Sequence, residues 1–497
     1  MLQWIWKARS PRNAAARRPR LRLESLEERA VPASPGSVLG NEPVHAAIAT
    51  VYTESNNPES DHNAVLAFFR SAEGTLTQIG TFSTHGTGQV NLPKVVGPDD
   101  SSQEVVATPD GKFLYAVNQG SNTIAAFRIR RDGSLDFIDT FDSGGIQPDS
   151  IGIANGKLYV NNKGDATRVD PGTVAPTITG FTINANGSLS PIPDSTITLP
   201  VGTVPSQNLI SPNGRLLFSD IFGVNTAPQS NTLAPFQIEG NGTLELAPGG
   251  NVTAQVPGDT TSAPALLGAA VNPNQNIVYA GLTGLNEVAV FTYDASGKLS
   301  FVGATAPNNQ GGSGPCWVAV SPDGKFLYTG DTGSDSVGVY SLADPLHPVQ
   351  LQELFLGGPQ TPPGSPPGTA REVSAFQVAV DPSGRFVYAI SQNTSPNGTF
   401  QEGNQLHILK VAHDGTLSEA KGPIILPGDT VPGTAHPQGI AVVAGIGETP
   451  EHDHGDRDGT QRSDSKFGTR RTDSSNGAGF QDAIWSEVLQ ELQQHRQ

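Results

Sequence analysis

His436, Asp149 and Glu104 are the residues of this sequence best suited to moving a proton. A histidine titrates near neutrality and a carboxylate can orient it or take the proton itself, so His436 with Asp149 or Glu104 makes a candidate acid/base pair. Gln207, Asp220, Asp331, Gln377 and Gln438 add donors and acceptors able to hold a ligand. The alternative for all eight is that they are solvated loop groups or hydrogen-bonded strand ends. Cys316, followed by Trp317, is the single cysteine and excludes an intramolecular disulfide. With no neighbouring histidine to lower its pKa, its thiol is expected to be buried and inert.

Other motifs are incomplete. The stretch "HGDRDG" (His454 to Gly459) has carboxylates at alternate positions and Gly at the sixth, as in a calcium loop, but begins with His454 and reaches Ser465 at the twelfth position. "HDH" (His452 to His454) lacks further fixed ligands. Neither a haem-attaching "CxxCH" nor a glycine-rich phosphate loop before a helix occurs. No metal or cofactor is expected.

The elements that must position the candidate residues are written as a repeat. "SPDGKFLY" (Ser321 to Tyr328) recurs as "TPDGKFLY" from Thr108, "SPNGRLLF" from Ser211, "NPNQNIVY" from Asn272 and "DPSGRFVY" from Asp381, with a worn copy, "ANGKLYV", from Ala154. Pro presets one turn dihedral, Asp or Asn bonds its own backbone, and Gly accepts positive φ, so each copy reverses the chain between two strands. A second turn follows each first one: "EGTL" at Glu73, "DGSL" at Asp132, "NGSL" at Asn186, "NGTL" at Asn241, "SGKL" at Ser296 and "DGTL" at Asp414. Only the copy after Tyr340 departs, with "ADPLHPVQL" in its place. Alternating apolar runs flank these turns, so each unit reads as four short antiparallel strands, the size of a propeller blade.

Six intact units have innermost strands beginning near Gln103, Pro148, Pro205, Pro264, Pro315 and Ser374. A seventh is split: "HPQGIAVV" (His436 to Val443) supplies its innermost strand, and "HAAIATVYTE" (His45 to Glu54) with "AVLAFFR" (Ala64 to Arg70) supply the rest. Joining them closes an all-β ring of seven blades without open edges. A right-handed solenoid is the alternative, with shorter repeats.

The repeat "VAVSPDGKFLY" with "DSVGVYSL" behind it resembles the lactonase family of seven-bladed propellers, which includes 6-phosphogluconolactonase and muconate-cycloisomerase-like members, over about residues 42–445. The resemblance implies an "HPH" segment at one innermost strand, a "GPRH" segment at the next and a following "NE" pair, supplying His, Arg and Glu to the channel mouth. By blade order the first falls on Val204, Pro205 and Ser206, or on Gln147, Pro148 and Asp149, without either histidine. "GPRH" falls by local similarity on "GPCW", with Cys316 and Trp317 for Arg and His and Asp331 near the acid position, or by order on Leu266 to Gly268.

The termini read differently. Residues 1–40 form a basic leader and linker whose Leu23, Glu24, Leu26, Glu27, Arg29, Pro32 and Ala33 resemble the "LExLExRxxPA" segment of exported bacterial proteins. Residues 41–447 are the propeller. Residues 448–497 read as a disordered polar tail ending in a helix, with Ile484, Trp485, Val488, Leu489 and Leu492 on one face for docking to a partner or the propeller. Net charge is −17, and residues 1–30 carry eight Lys and Arg against three Glu, so the remainder is more acidic still and nucleic-acid binding is not expected. No apolar run is long enough to span a membrane. Export is the expected location, the cytoplasm the alternative. The missing His and Arg favour a scaffold that binds a small molecule, glycan or protein at the channel mouth; a lactone hydrolase or related isomerase with a rearranged acid/base set is the alternative.

Overall fold

The structure, a computed structural model, describes residues 48–89, 101–165, 172–222, 231–257, 265–366, 369–395 and 398–445. The basic leader, His45, Pro264 and the C-terminal helix lie outside the described residues.

Seven antiparallel sheets, each built on four successive strands, follow one another as blades. Blade one is the split unit. Gln438–Ala444 is its innermost strand and pairs with Ala49–Glu54, in register from Ala49 opposite Ala444 to Glu54 opposite Gln438; Ala64–Arg70 and Leu76–Ser83 complete it. Strands from both ends of the domain therefore share one sheet, as the sequence implies.

The other innermost strands are Val105–Ala107 in blade two, Pro148–Ala154 in three, Val204–Ile210 in four, Leu266–Val271 in five, Pro315–Val320 in six and Val373–Val380 in seven. In blades three, four and seven the outermost position is divided between two short strands. Blade six, whose second turn departs, instead carries one seven-residue outer strand, Val349–Phe355.

The repeat explains how blades adhere. In four of the six first-turn motifs the closing tyrosine points its hydroxyl at the next blade. Tyr115 donates to the Gly187 carbonyl at 2.9 Å, Tyr159 to Gly242 at 3.0 Å and Tyr328 to Gly415 at 3.3 Å; Tyr52 of blade one does the same to Gly133 at 2.9 Å. The accepting residue is in each case the glycine of the second turn. That glycine is required twice over: at Gly415 φ is +84° and a Cβ would lie 2.2 Å from the Phe326 ring. Where blade six lacks that glycine, Tyr279 donates to Pro345 instead, at 2.8 Å. Phe218 of blade four has no hydroxyl and packs on Tyr293, ring centroids 4.9 Å apart. Between blades seven and one the latch is ionic: the fully buried Arg70 donates to Asp381 at 2.8 Å and to the Tyr388 hydroxyl at 3.1 Å.

Candidate functional site

Six of the seven innermost strands share a local fault. Register slips between Pro148 and Ser150, Pro205 and Gln207, Leu266 and Ala269, Pro315 and Trp317, and Ala375 and Val378, and opposite Gly439 in blade one. Each slip is a β-bulge near the strand's N-terminal end, and a bulge re-aims the extra residue out of the ladder. Asp149, Ser206, Leu267, Cys316, Phe376, Gln377 and Gly439 thus gather at one end of the central channel. Gln103, Gln147 and Ala265, which lead into their strands, have positive φ, an uncommon conformation for residues with a side chain.

The channel mouth divides by chemistry. Blades four to seven contribute an apolar cluster of Phe222, Leu267, Cys316, Trp317 and Phe376. Trp317 meets Phe376 edge-on with centroids 5.6 Å apart. Gly268 permits this packing, since a Cβ there would fall 2.0 Å from the Cys316 carbonyl. Cys316 is buried, with the Thr283 hydroxyl 3.8 Å from its sulfur. Cys316 and Trp317 therefore fill space in the apolar half of the mouth.

The other half is polar and is tied together by residues 101–104. The Ser102 N–H donates to the Ser206 carbonyl of blade four, the Ile151 N–H of blade three donates to the Gln103 carbonyl, and Gln377 Nε2 of blade seven donates to the Ser101 carbonyl at 2.6 Å. The same Nε2 lies 2.7 and 2.8 Å from the two Glu104 oxygens, one of which also accepts from the Ser101 hydroxyl at 2.8 Å. The Gly439 N–H of blade one donates to Gln377 Oε1. Asp220 Oδ2 accepts from the Gly268 N–H at 2.5 Å and the Ser206 hydroxyl at 3.1 Å, and Gln207 Oε1 accepts from the Ala269 N–H. Asp149 faces Lys163 Nζ at 3.8 Å, both side chains fully buried.

Burial governs the electrostatics. It pushes the Glu104 carboxyl up to about 7, against the hydrogen bonds from Ser101 and Gln377 and the Lys163 charge. Asp220 is pushed up to about 7 for the same reason, against the Gly268 N–H and Ser206. Asp149 is held well above the usual carboxylate range: burial outweighs Lys163 at 3.8 Å, longer than a hydrogen bond, while Glu104 and Asp220 add repulsion. Glu54, opposite Gln438 in register, is raised by burial and then by Glu104, against a hydrogen bond from Asn63.

All eight residues expected at the site are buried, none more than 4% exposed, so they are not solvated loop groups. Their groupings differ. Glu104 and Gln377 are bonded partners, and Gln207, Gln377 and Asp220 act as clamps between blades. Asp331 ends a strand of blade six, where Asn308 Nδ2 approaches it at 3.3 Å and Glu353 at 2.7 Å; its carboxyl is raised by burial and then by Glu353. His436 precedes the innermost strand of blade one, and the hydrogen-bond or ion-pair partners of Glu104 and Asp149 are Ser101, Gln377 and Lys163, not His436. Neither Lys163 nor Glu54 is evident from sequence: each stands at or just past the end of a second strand, and only the register places it beside the bulges.

A second grouping resembles a nucleophile relay. Ser391 Oγ is 3.0 Å from His407 Nε2, and His407 Nδ1 is 2.7 Å from Glu419. Ser391 donates to Asp335 of blade six, however, and Glu419 accepts from the Gly357 N–H of that blade, so the buried group staples blades six and seven. Below Gln103, a cavity of about 480 Å³ is lined by Val105, Ala107, Ile440 and Val442 and by the Thr108–Gly111 turn, a volume suited to a small molecule.

Comparison with known proteins agrees with this architecture. A 6-phosphogluconolactonase of Yersinia enterocolitica is 22% identical over 316 residues, covering 63% of this chain and 83% of that protein. The structure of the periplasmic gluconolactonase of Pseudomonas aeruginosa superposes with a TM-score of 0.57 at 15% identity, covering 80% of this chain and 99% of that one. A Lactobacillus plantarum protein gives 0.56 at 15% identity, with 80% and 99% covered. The family model described as lactonase, 7-bladed beta-propeller, matches residues 59–170 and 177–422, and with the closed ring of seven blades this places the chain in the lactonase family of seven-bladed β-propellers.

Proposed function

We propose that this propeller hydrolyses lactones at the polar half of its channel mouth. The observation that carries the reading is Glu104: buried, fixed by Ser101 and Gln377, within the field of Lys163, and with a carboxyl pushed up to about 7. A group that gains and loses a proton near neutrality can serve as base and then as acid. Ionised Glu104 takes a proton from water as its oxygen bonds to the lactone carbonyl carbon. The carbonyl π pair moves to oxygen, and the Lys163 ammonium stabilises that oxyanion. When the carbonyl re-forms, the ring C–O bond breaks and the alkoxide takes the proton back from Glu104. Asp149 lies beside Lys163, 3.8 Å away.

The lactonase activities named for related proteins support this reading over a scaffold. The absent His and Arg argued for the scaffold, yet Cys316 and Trp317 pack in the apolar half and leave the Glu104 network complete. The test is a panel of sugar and aromatic lactones offered to the full chain. Hydrolysis is expected, falling at least about 100-fold in Glu104→Gln and Lys163→Met, the scale of a lost acid/base or oxyanion group. Loss in His436→Ala with Glu104→Gln fully active would move the chemistry to His436. Ligand-induced stabilisation without turnover would restore the scaffold.

A further inference from the structure

The cavity of about 480 Å³ reaches the end of the channel away from the bulges. Its apolar wall there is Val106 and Ala107 of blade two with Ile440, Val442 and Ala444 of blade one, and Pro382 of the blade seven turn lies at its rim. The second strand of blade one, Ala49–Glu54, is buried throughout, whereas Val106, Ala107, Ile440 and Val442 are only half-buried and Ala444 is exposed. The blades thus leave apolar surface on the axis uncovered, the kind of patch that marks a binding site.

The chain leaves the propeller at this point. Ala444 lines the cavity, and the next residue, Gly445, donates its N–H to the Ile48 carbonyl and is the last described residue. Residues 446–481 make a polar connection to 482–497, which lie outside the described residues and carry Ile484, Trp485, Val488, Leu489 and Leu492 at helical spacing. A chain as long as that connection has a root-mean-square span of about 35 Å, which keeps the segment at an effective concentration of about a millimolar around the cavity. So short a helix is marginal alone in water and needs a surface for its apolar face.

Charge agrees with this fit. At helical spacing Asp482 falls on one edge of the apolar face, and Glu487 and Glu491 fall on the other. Lys112 follows the turn that lines the cavity, and Arg385 shares a turn with Pro382; both are exposed. Lys112 pairs with Asp110 at 2.8 Å and Arg385 donates to the Ala72 carbonyl at 3.2 Å, surface contacts that exchange at little cost.

We propose that residues 482–497 dock as a helix on this end of their own propeller, Trp485 entering the cavity and the acidic edges meeting Lys112 and Arg385. The experiment is hydrogen exchange of the full chain, followed by mass spectrometry. Expected is slow exchange of the amides in 482–497 and in 105–112, independent of protein concentration. Leu489→Asp should speed exchange in both segments at least about 10-fold. Ala444→Arg, at an exposed position where the longer side chain fills the cavity, should release 482–497 while the rest of the ring stays protected. Exchange of 482–497 at the rate of an unstructured chain overturns the proposal, as does protection that survives Ala444→Arg. Protection found only at high protein concentration, with a dimer in sedimentation, assigns the segment to a second copy, and protection found only with anionic vesicles assigns it to a lipid surface; either result overturns docking on its own chain.

Discussion

At the residue scale, Glu104 links function to stability. Its carboxyl titrates near 4.5 when solvated and about 7 when folded, so between those values the folded protein keeps a proton that the unfolded chain has released. Stability from this group is complete below about 4.5 and is lost as pH rises to 7; Asp220 acts in the same direction. Thermal unfolding followed by circular dichroism should therefore give a Tm that falls by several degrees from pH 5 to pH 8, with a shallower fall in Glu104→Gln. A Tm that climbs across this window would show the carboxyl ionised in the fold. Glu104, Asp149 and Gln377 are legible in the sequence because each lies just before or within a strand whose repeat position is plain. Lys163 and Glu54 are not, since no pattern along the chain announces a bulge in the neighbouring strand. Gln207 reads as a ligand group, yet its oxygen is used by the Ala269 N–H, a contact between blades that local patterning does not contain.

At the element scale, the blade is held by what it offers the next blade. Tyr115→Phe removes one hydroxyl donor and leaves the Gly187 carbonyl unmatched, so a loss of about 1 kcal/mol is expected in denaturant titration. Arg70→Leu should cost more, about 3–5 kcal/mol, because it strands the Asp381 carboxylate in the core. Equal losses at the two sites would mean that the ion pair contributes no more than one neutral hydrogen bond. Trp317→Ala opens the apolar half of the mouth and should destabilise by about 3–5 kcal/mol, with catalytic loss expected to be smaller than in Glu104→Gln. The turns that define these elements were readable, because Pro, Asn, Asp and Gly at fixed offsets each have a local cause. The tyrosine at the end of the motif was readable only as an apolar strand residue; its partner lies some seventy residues away and appears only once blades adjoin.

At the scale of the whole molecule, the ring closes by a single strand pairing across nearly four hundred residues. Val51→Pro deletes a donor in the middle of Ala49–Glu54, which is paired on both sides, and should cost about 3 kcal/mol or more while lowering the cooperativity of unfolding. Seven-fold closure followed from counting repeat units and finding half a unit at each end, a property of the chain as a whole. The division of the mouth into apolar and acidic halves did not, because it depends on which bulged residue each blade brings to the axis. The most direct test of that division is the pH dependence of kcat/KM for a sugar lactone. The expected profile rises with pH to a plateau with an apparent pKa near 7, and Glu104→Gln flattens it and lowers it at least about 100-fold. An unchanged profile and rate in Glu104→Gln would contradict the assignment of the chemistry to the polar half of the channel mouth.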